Sequence, residues 1–322
     1  MHAKGGQECP RSGLHDRRLL PREKLNGGLA ALTLFTYMTP YHQLVSDYAR
    51  LLKQGRSLPL GTFKPAPRPE IAPNAPKALF FAPHPDDECI VGAMAVRLMR
   101  QARMHLINVA ITLGSKKERQ QERLHELRNA CKYIGFDLVT SAPNGLEKIN
   151  AKTREQDPKH WAACVKIIKD VIEQHQPKVV LCPHDRDWNA THIGTHYLVM
   201  DALKQMPESF SCYIVETEFW GAMTDPNLMV EVSNDDLADM IAATTFHVGE
   251  VNRNPYHLLL PPWMMDNVRR GSEVVGGAGA AAPDYAFAVL YRLRKWSQRQ
   301  AKRFFEGGKL VPVSMNVAGL FA

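Results

Sequence analysis

Two short stretches of this sequence concentrate side chains that can hold a metal ion or move a proton. The first, Pro83–Glu88, carries His84, Asp86, Asp87 and Glu88; the second, Pro183–His196, carries His184, Asp185, Asp187, Asn189, His192 and His196. Imidazole and carboxylate together form a nitrogen and oxygen donor set suited to zinc or a similar divalent ion, and a catalytic site needs only three protein ligands, leaving a position for water. His84 and Asp87 stand three apart, so both reach one ion if the loop turns into a helix near Glu88. Asp86 then lies beside the ion without having to bind it, placed to take a proton from the water the ion acidifies. Glu88 falls in the first helical turn, where the dipole favours it, either as a helix-start residue or as a support to the site. The same residue types also suit a turn with solvated polar groups, and spacing alone does not choose between the two.

The elements that must position these residues are legible around them. The segments KALFFAPHPDD and KVVLCPHDRD echo each other, each a strand running straight into Pro-His and acidic residues. From Lys77 onward short apolar runs alternate with long amphipathic segments, the pattern of β-α units. Strands are predicted at Lys77–Ala82, His105–Thr112, Asp137–Thr140, Val179–Cys182 and Ser211–Thr217. Helices are predicted at Glu88–Gln101, Lys116–Ile134, Pro158–His175, His192–Gln205 and Asp235–His247. This is an α/β chain with a mainly parallel sheet, and such sheets place their sites outside the carboxyl ends of the strands, where both polar loops begin.

Three regions follow from the pattern. Residues 1–76 form an N-terminal extension, with an amphipathic helix expected over Leu29–Leu52 and a stiff connector from Pro59 to Pro76 that cannot be helical. Residues 77–250 hold the core, and 251–322 complete the domain with a mobile Gly/Ala loop at 271–282, a strand at Tyr285–Leu290 and a basic closing helix at Leu293–Phe305. The net charge of +7 is mild for 322 residues and no aromatic-interleaved basic stripe accompanies it, so no nucleic-acid partner is expected and basic tails binding nucleic acid are a weak third reading. Six scattered cysteines, with no C-x-x-C pair, indicate neither a zinc knuckle nor a disulfide framework and place the chain in the reducing cytoplasm. The apolar stretch Leu29–Met38 is too short to span a bilayer; a secretion signal there is the minor alternative. The oligomeric state is left open, a homo-oligomer included.

At the residues that could do chemistry, the chain resembles the PIG-L, or LmbE-like, family of deacetylases. The resemblance rests on Ala82-Pro83-His84-Pro85-Asp86-Asp87-Glu88, on a helix carrying Arg123, Glu126, Ala130, Ile134 and Gly135, and on Asn189-Ala190-Thr191-His192 followed by Thr195 and His196. It implies a Rossmann-like three-layer sandwich, zinc bound by His84, Asp87 and His192, and Asp86 as general base. His196, one turn along the helix from His192, is the alternative ligand. It further implies hydrolysis of an N-acetylated sugar or glycoconjugate, a reaction of carbohydrate metabolism. The position of the family's first histidine in the third motif is held here by Asn189, which donates a hydrogen bond to an oxyanion but cannot titrate. Arg123, His196, His247, Arg253 and Tyr256 are the expected substrate contacts. Two rival readings are an amidohydrolase acting on a non-sugar amide or thiol conjugate, and a metal-holding sugar-binding protein with weak catalysis.

Overall fold

The computed structural model describes residues 39–321. Helix α1 (Pro40–Gly55) comes first, with proline at the first helical position, where a missing N–H costs nothing. It ends at Gly55 rather than Leu52; residues 29–38 of the expected helix lie outside the described residues. The chain divides into two compact units between Tyr48 and Ala49, and the sheet and both polar loops belong to the second.

That unit runs in chain order through β1 (Lys77–Ala82), α2 (Asp87–Ile90), α3 (Ala93–Arg100), β2 (His105–Ala110), α4 (Gln120–Ile134), β3 (Asp137–Thr140), α5 (Ala151–Gln156) and α6 (Pro158–His175). It continues with β4 (Val179–Pro183), α7 (Ala190–Lys204), β5 (Cys212–Thr217), β6 (Leu228–Glu231), α8 (Asn234–Thr244), α9 (Val248–Arg253) and α10 (Tyr256–Val274). Strands β7 (Ala288–Ser297), β8 (Gln300–Arg303) and β9 (Lys309–Val311) close it. The first five strands pair in parallel in the order β3-β2-β1-β4-β5.

Strands covered on both faces need apolar residues at every position, which is why β1 reads as an unbroken run. Ala78, Phe80 and Ala82 pack with Met94, Leu127 and Met240 on one side. Leu79 and Phe81 pack with Ile168, Ile172 and Leu198 on the other. The result is a Rossmann-like three-layer sandwich with a mainly parallel sheet. Strand β1 lies between β2 and β4, where the strand order reverses, so the loops leaving β1 and β4 emerge side by side. Among the described residues no helix is long and apolar enough to cross a membrane.

The late part of the chain departs from expectation. The predicted basic helix at 293–305 is instead the hairpin β7–β8, paired Ser297 to Gln300, with Gln298 and Arg299 both at positive φ in the two-residue turn. The strand predicted at 285–290 starts at Ala288 and runs to Ser297, antiparallel to both β5 and β6. Helix α10 reaches into the predicted Gly/Ala loop because Gly271 packs on the sheet: a Cβ there would lie 2.6 Å from the Met229 sulfur. The helix predicted at 88–101 is broken between α2 and α3, where a Cβ on Gly92 would meet the Glu88 carbonyl oxygen at 2.1 Å.

Arg97 binds this late part to the early part. Its buried guanidinium donates to the carbonyls of Glu231, Val311, Pro312 and Met315 at 2.7–3.1 Å. Arg97→Met leaves these carbonyls without their charged donor, and the expected loss is about 3–5 kcal/mol in urea unfolding. A change below about 1 kcal/mol would show the guanidinium to be dispensable.

Candidate functional site

The loop leaving β1 and the first turn of α7 bring three donor atoms together. His84 Nδ1 lies 3.2 Å from His192 Nε2 and 3.5 Å from Asp87 Oδ2, and His192 Nε2 lies 3.4 Å from that same oxygen. Donors on one tetrahedral zinc with bonds of about 2.0–2.1 Å stand about 3.3–3.4 Å apart, so the set fits a zinc-sized ion. The Asp87 oxygen also accepts the His84 backbone N–H at 2.9 Å, which fixes the turn. Behind His192, Asp187 faces its Nδ1 at 3.5 Å, the carboxylate–histidine arrangement that orients a metal-binding ring.

Burial and neighbouring charges set the titration of these groups. Burial works against protonated His192, but Asp87 and Asp187 outweigh it and lift the imidazole to about 10. Burial would raise Asp87, but His192 and His84 hold its carboxyl well below the usual range. Asp86 goes the opposite way: burial, then the neighbouring Asp87 charge, push its carboxyl well above that range. Its backbone sits at φ 119°, a left-handed conformation that costs a non-glycine residue energy and is found where the surroundings enforce it.

His84, Asp86 and Asn189 line a cleft of about 710 Å³, together with Arg123, Arg253 and Tyr256. The Asn189 side-chain oxygen accepts the Thr191 N–H at 2.9 Å and caps α7. Its amide nitrogen is thereby the group left to act as a donor. Trp220 stands edge-on to both Tyr256 and His192, with ring centroids 5.1 and 6.3 Å away. Helix α7 comes so close to the far wall that a Cβ on Gly194 would lie 2.4 Å from the Ile149 carbonyl oxygen.

Two of the expected substrate contacts are placed elsewhere. His196 is buried, one turn deeper than His192, with Nδ1 3.0 Å from the Pro183 carbonyl and 3.4 Å from Glu216. Arg292 fills the space around it, bonding Glu216, Asp185 and Asp225. His247 is fully buried on Glu88, 2.8 Å away. Neither lines the cleft: His196 is held by the Pro183 carbonyl and His247 Nε2 by Glu88, partners that sequence spacing does not reveal. Arg123 lines the cleft but spends Nη2 on the Pro85 carbonyl at 2.9 Å, steadying the loop after β1.

Sequence reasoning gave no role to Glu250, which binds Arg253 and, at 3.3 Å, Arg119 and so holds the cleft wall. Its position three residues before Arg253 was the only available signal. Asp187 stood among the second loop's acids without its role behind His192.

This Rossmann-like domain therefore sets a switch-point cleft over three convergent donor atoms, His84 Nδ1, Asp87 Oδ2 and His192 Nε2, beside the buried carboxyl of Asp86. Residues 79–203, which hold His84, Asp86, Asp87 and His192, match the family described as PIG-L: GlcNAc-PI de-N-acetylase. Among solved structures, N,N'-diacetylchitobiose deacetylase from Pyrococcus horikoshii is similar at 16% identity and a TM-score of 0.50, covering 77% of this chain and 92% of that one. A conserved protein of Thermus thermophilus is similar at 15% identity and 0.50, covering 67% and 93%. The 4-carboxy-2-hydroxymuconate hydratase GalB from Pseudomonas putida is similar at 14% and 0.50, covering 68% and 95%. These likenesses are of fold. No curated protein sequence matches the chain.

Proposed function

We propose that the protein is a zinc-dependent N-deacetylase acting on an N-acetylated amino sugar or its conjugate. The observation that carries this reading is the spacing of His84 Nδ1, Asp87 Oδ2 and His192 Nε2, 3.2–3.5 Å apart at the cleft that Asp86 lines. The PIG-L family and its named GlcNAc-PI de-N-acetylase activity support the choice of reaction.

His84, Asp87 and His192 would hold the ion, which supplies Lewis acidity and acidifies water at its open position. Asp86 takes one proton from the attacking water as its oxygen adds to the acetamide carbonyl carbon. A buried carboxyl with a raised pKa binds that proton well and can pass it on. The Asn189 amide donates to the oxygen that becomes negative. The C–N bond then breaks, the proton on Asp86 goes to the departing amine, and the acetic acid that remains gives its proton to the free amine, leaving acetate and an ammonium. Because Asn189 cannot titrate, Asp86 serves as base first and acid second.

Metal analysis combined with acetate release over a panel of N-acetyl sugars and simple amides tests the reading. One zinc per chain and acetate from an amino-sugar member are expected. Zinc without acetate from any sugar or amide would overturn it in favour of a metal-holding sugar-binding protein, the reading Asn189 motivates. Acetate from non-sugar amides alone would move the substrate class.

A further inference from the structure

We infer that His247 is a positioning residue that acts through Glu88 to fix the backbone of Asp86 and to tie it to the wall of the cleft. The inference rests on the proposed role of Asp86. The strained conformation of that residue, φ 119°, needs something to hold it. What holds it is Glu88, whose Oε2 accepts the Asp86 backbone N–H at 3.0 Å. Glu88 Oε1 in turn accepts from His247 Nε2 at 2.8 Å and from the Cys89 thiol at 3.1 Å. Both Glu88 and His247 are 0% exposed, so solvent offers the carboxylate no substitute donor. If the imidazole were removed, a buried carboxylate would lose its strongest partner and turn toward another, releasing the Asp86 amide.

The second half of the tie is the position of His247 in the chain. It immediately precedes α9, whose Gly249 N–H bonds Glu126 Oε1 at 2.9 Å and whose Glu250 and Arg253 line the cleft. One imidazole therefore sets both the residue beneath the reacting bond and the wall that faces the substrate. Glu88, Cys89 and His247 also lie close enough together to raise a second metal site as an alternative. Against it, His247 and Glu88 stand 2.8 Å apart, a hydrogen-bond distance, where two donors on one zinc would stand about 3.3 Å apart.

The test compares His247→Ala and His247→Gln in the full chain, because the glutamine amide nitrogen can reach where Nε2 stood. The alanine variant is expected to keep one zinc and KM within about twofold, while kcat falls about 10–100-fold, the scale of a small misplacement at a reacting centre. Backbone amide exchange in peptides covering 85–89 should accelerate in the same variant, and glutamine should restore both readouts. Equal loss in the two variants, exchange unchanged by alanine, or a zinc content falling from two to one per chain would each overturn the inference. Should the alanine variant fail to fold, glutamine decides: slow exchange and near-full kcat support the tie, and fast exchange overturns it. Exchange also separates this inference from the deacetylase reading, since it reports on the Asp86 backbone whether or not any sugar is turned over.

Discussion

Asp86→Asn is expected to bind zinc as the parent protein does and to lose about 10²–10⁴-fold of kcat, the contribution of a positioned general base. The substitution removes little else. Asparagine is nearly isosteric and among the side chains most tolerant of positive φ, so the backbone at 119° and its N–H bond to Glu88 should persist. The three metal-facing donors belong to other residues. What disappears is the capacity to accept a proton, together with a negative charge that burial and Asp87 already make costly. Acetate release, zinc content and a thermal melt on the same preparation check this. Undiminished turnover would sink the assignment of Asp86, and loss of zinc would mean that it binds the ion.

The second large effect separates two histidines one helical turn apart. His192→Ala should lower zinc affinity by more than the roughly 10–100-fold typical of removing an outer-shell partner, and abolish turnover with it. His196→Ala should keep its zinc and instead lose about 1–3 kcal/mol of stability, because the Pro183 carbonyl loses its buried partner. Titration with a zinc indicator and urea unfolding of both variants read the two effects independently. Zinc lost on replacing His196 but kept on replacing His192 would reverse the assignment.

The contrast also shows how far the sequence reaches. Both histidines lie on one face of α7 by the i, i+4 rule, and the loop motif decided between them only through family resemblance. The central strands were readable because burial on both faces demands uninterrupted apolar residues. Helix α6 was predicted at its true bounds because Asp157 caps it and Pro158 starts it. The C-terminal hairpin was missed for the opposite reason. Arg294 falls within the predicted basic helix, whereas it and Arg292 both turn onto Glu216, a residue paired with them only across the sheet. Pro261 and Pro262 hid α10, since proline argues against a helix interior and only tertiary packing offsets its cost. His247 was expected as a substrate contact because its carboxylate partner, Glu88, is 159 positions away.

The anchoring of the late strands by Arg97 bears on how much of the chain must fold for the matched segment to hold its shape. The segment that matches the family model ends at residue 203 and contains His84, Asp86, Asp87, Asn189 and His192. It stops before β5, before the antiparallel strand that covers the edge of β5, and before the carbonyls at 311–315 that satisfy a buried guanidinium. Cut at that boundary, the chain would keep these five side chains and lose the scaffold that holds them in place. The smallest piece able to stand alone is therefore larger than the piece that carries the chemistry, and its limit lies near the C-terminus.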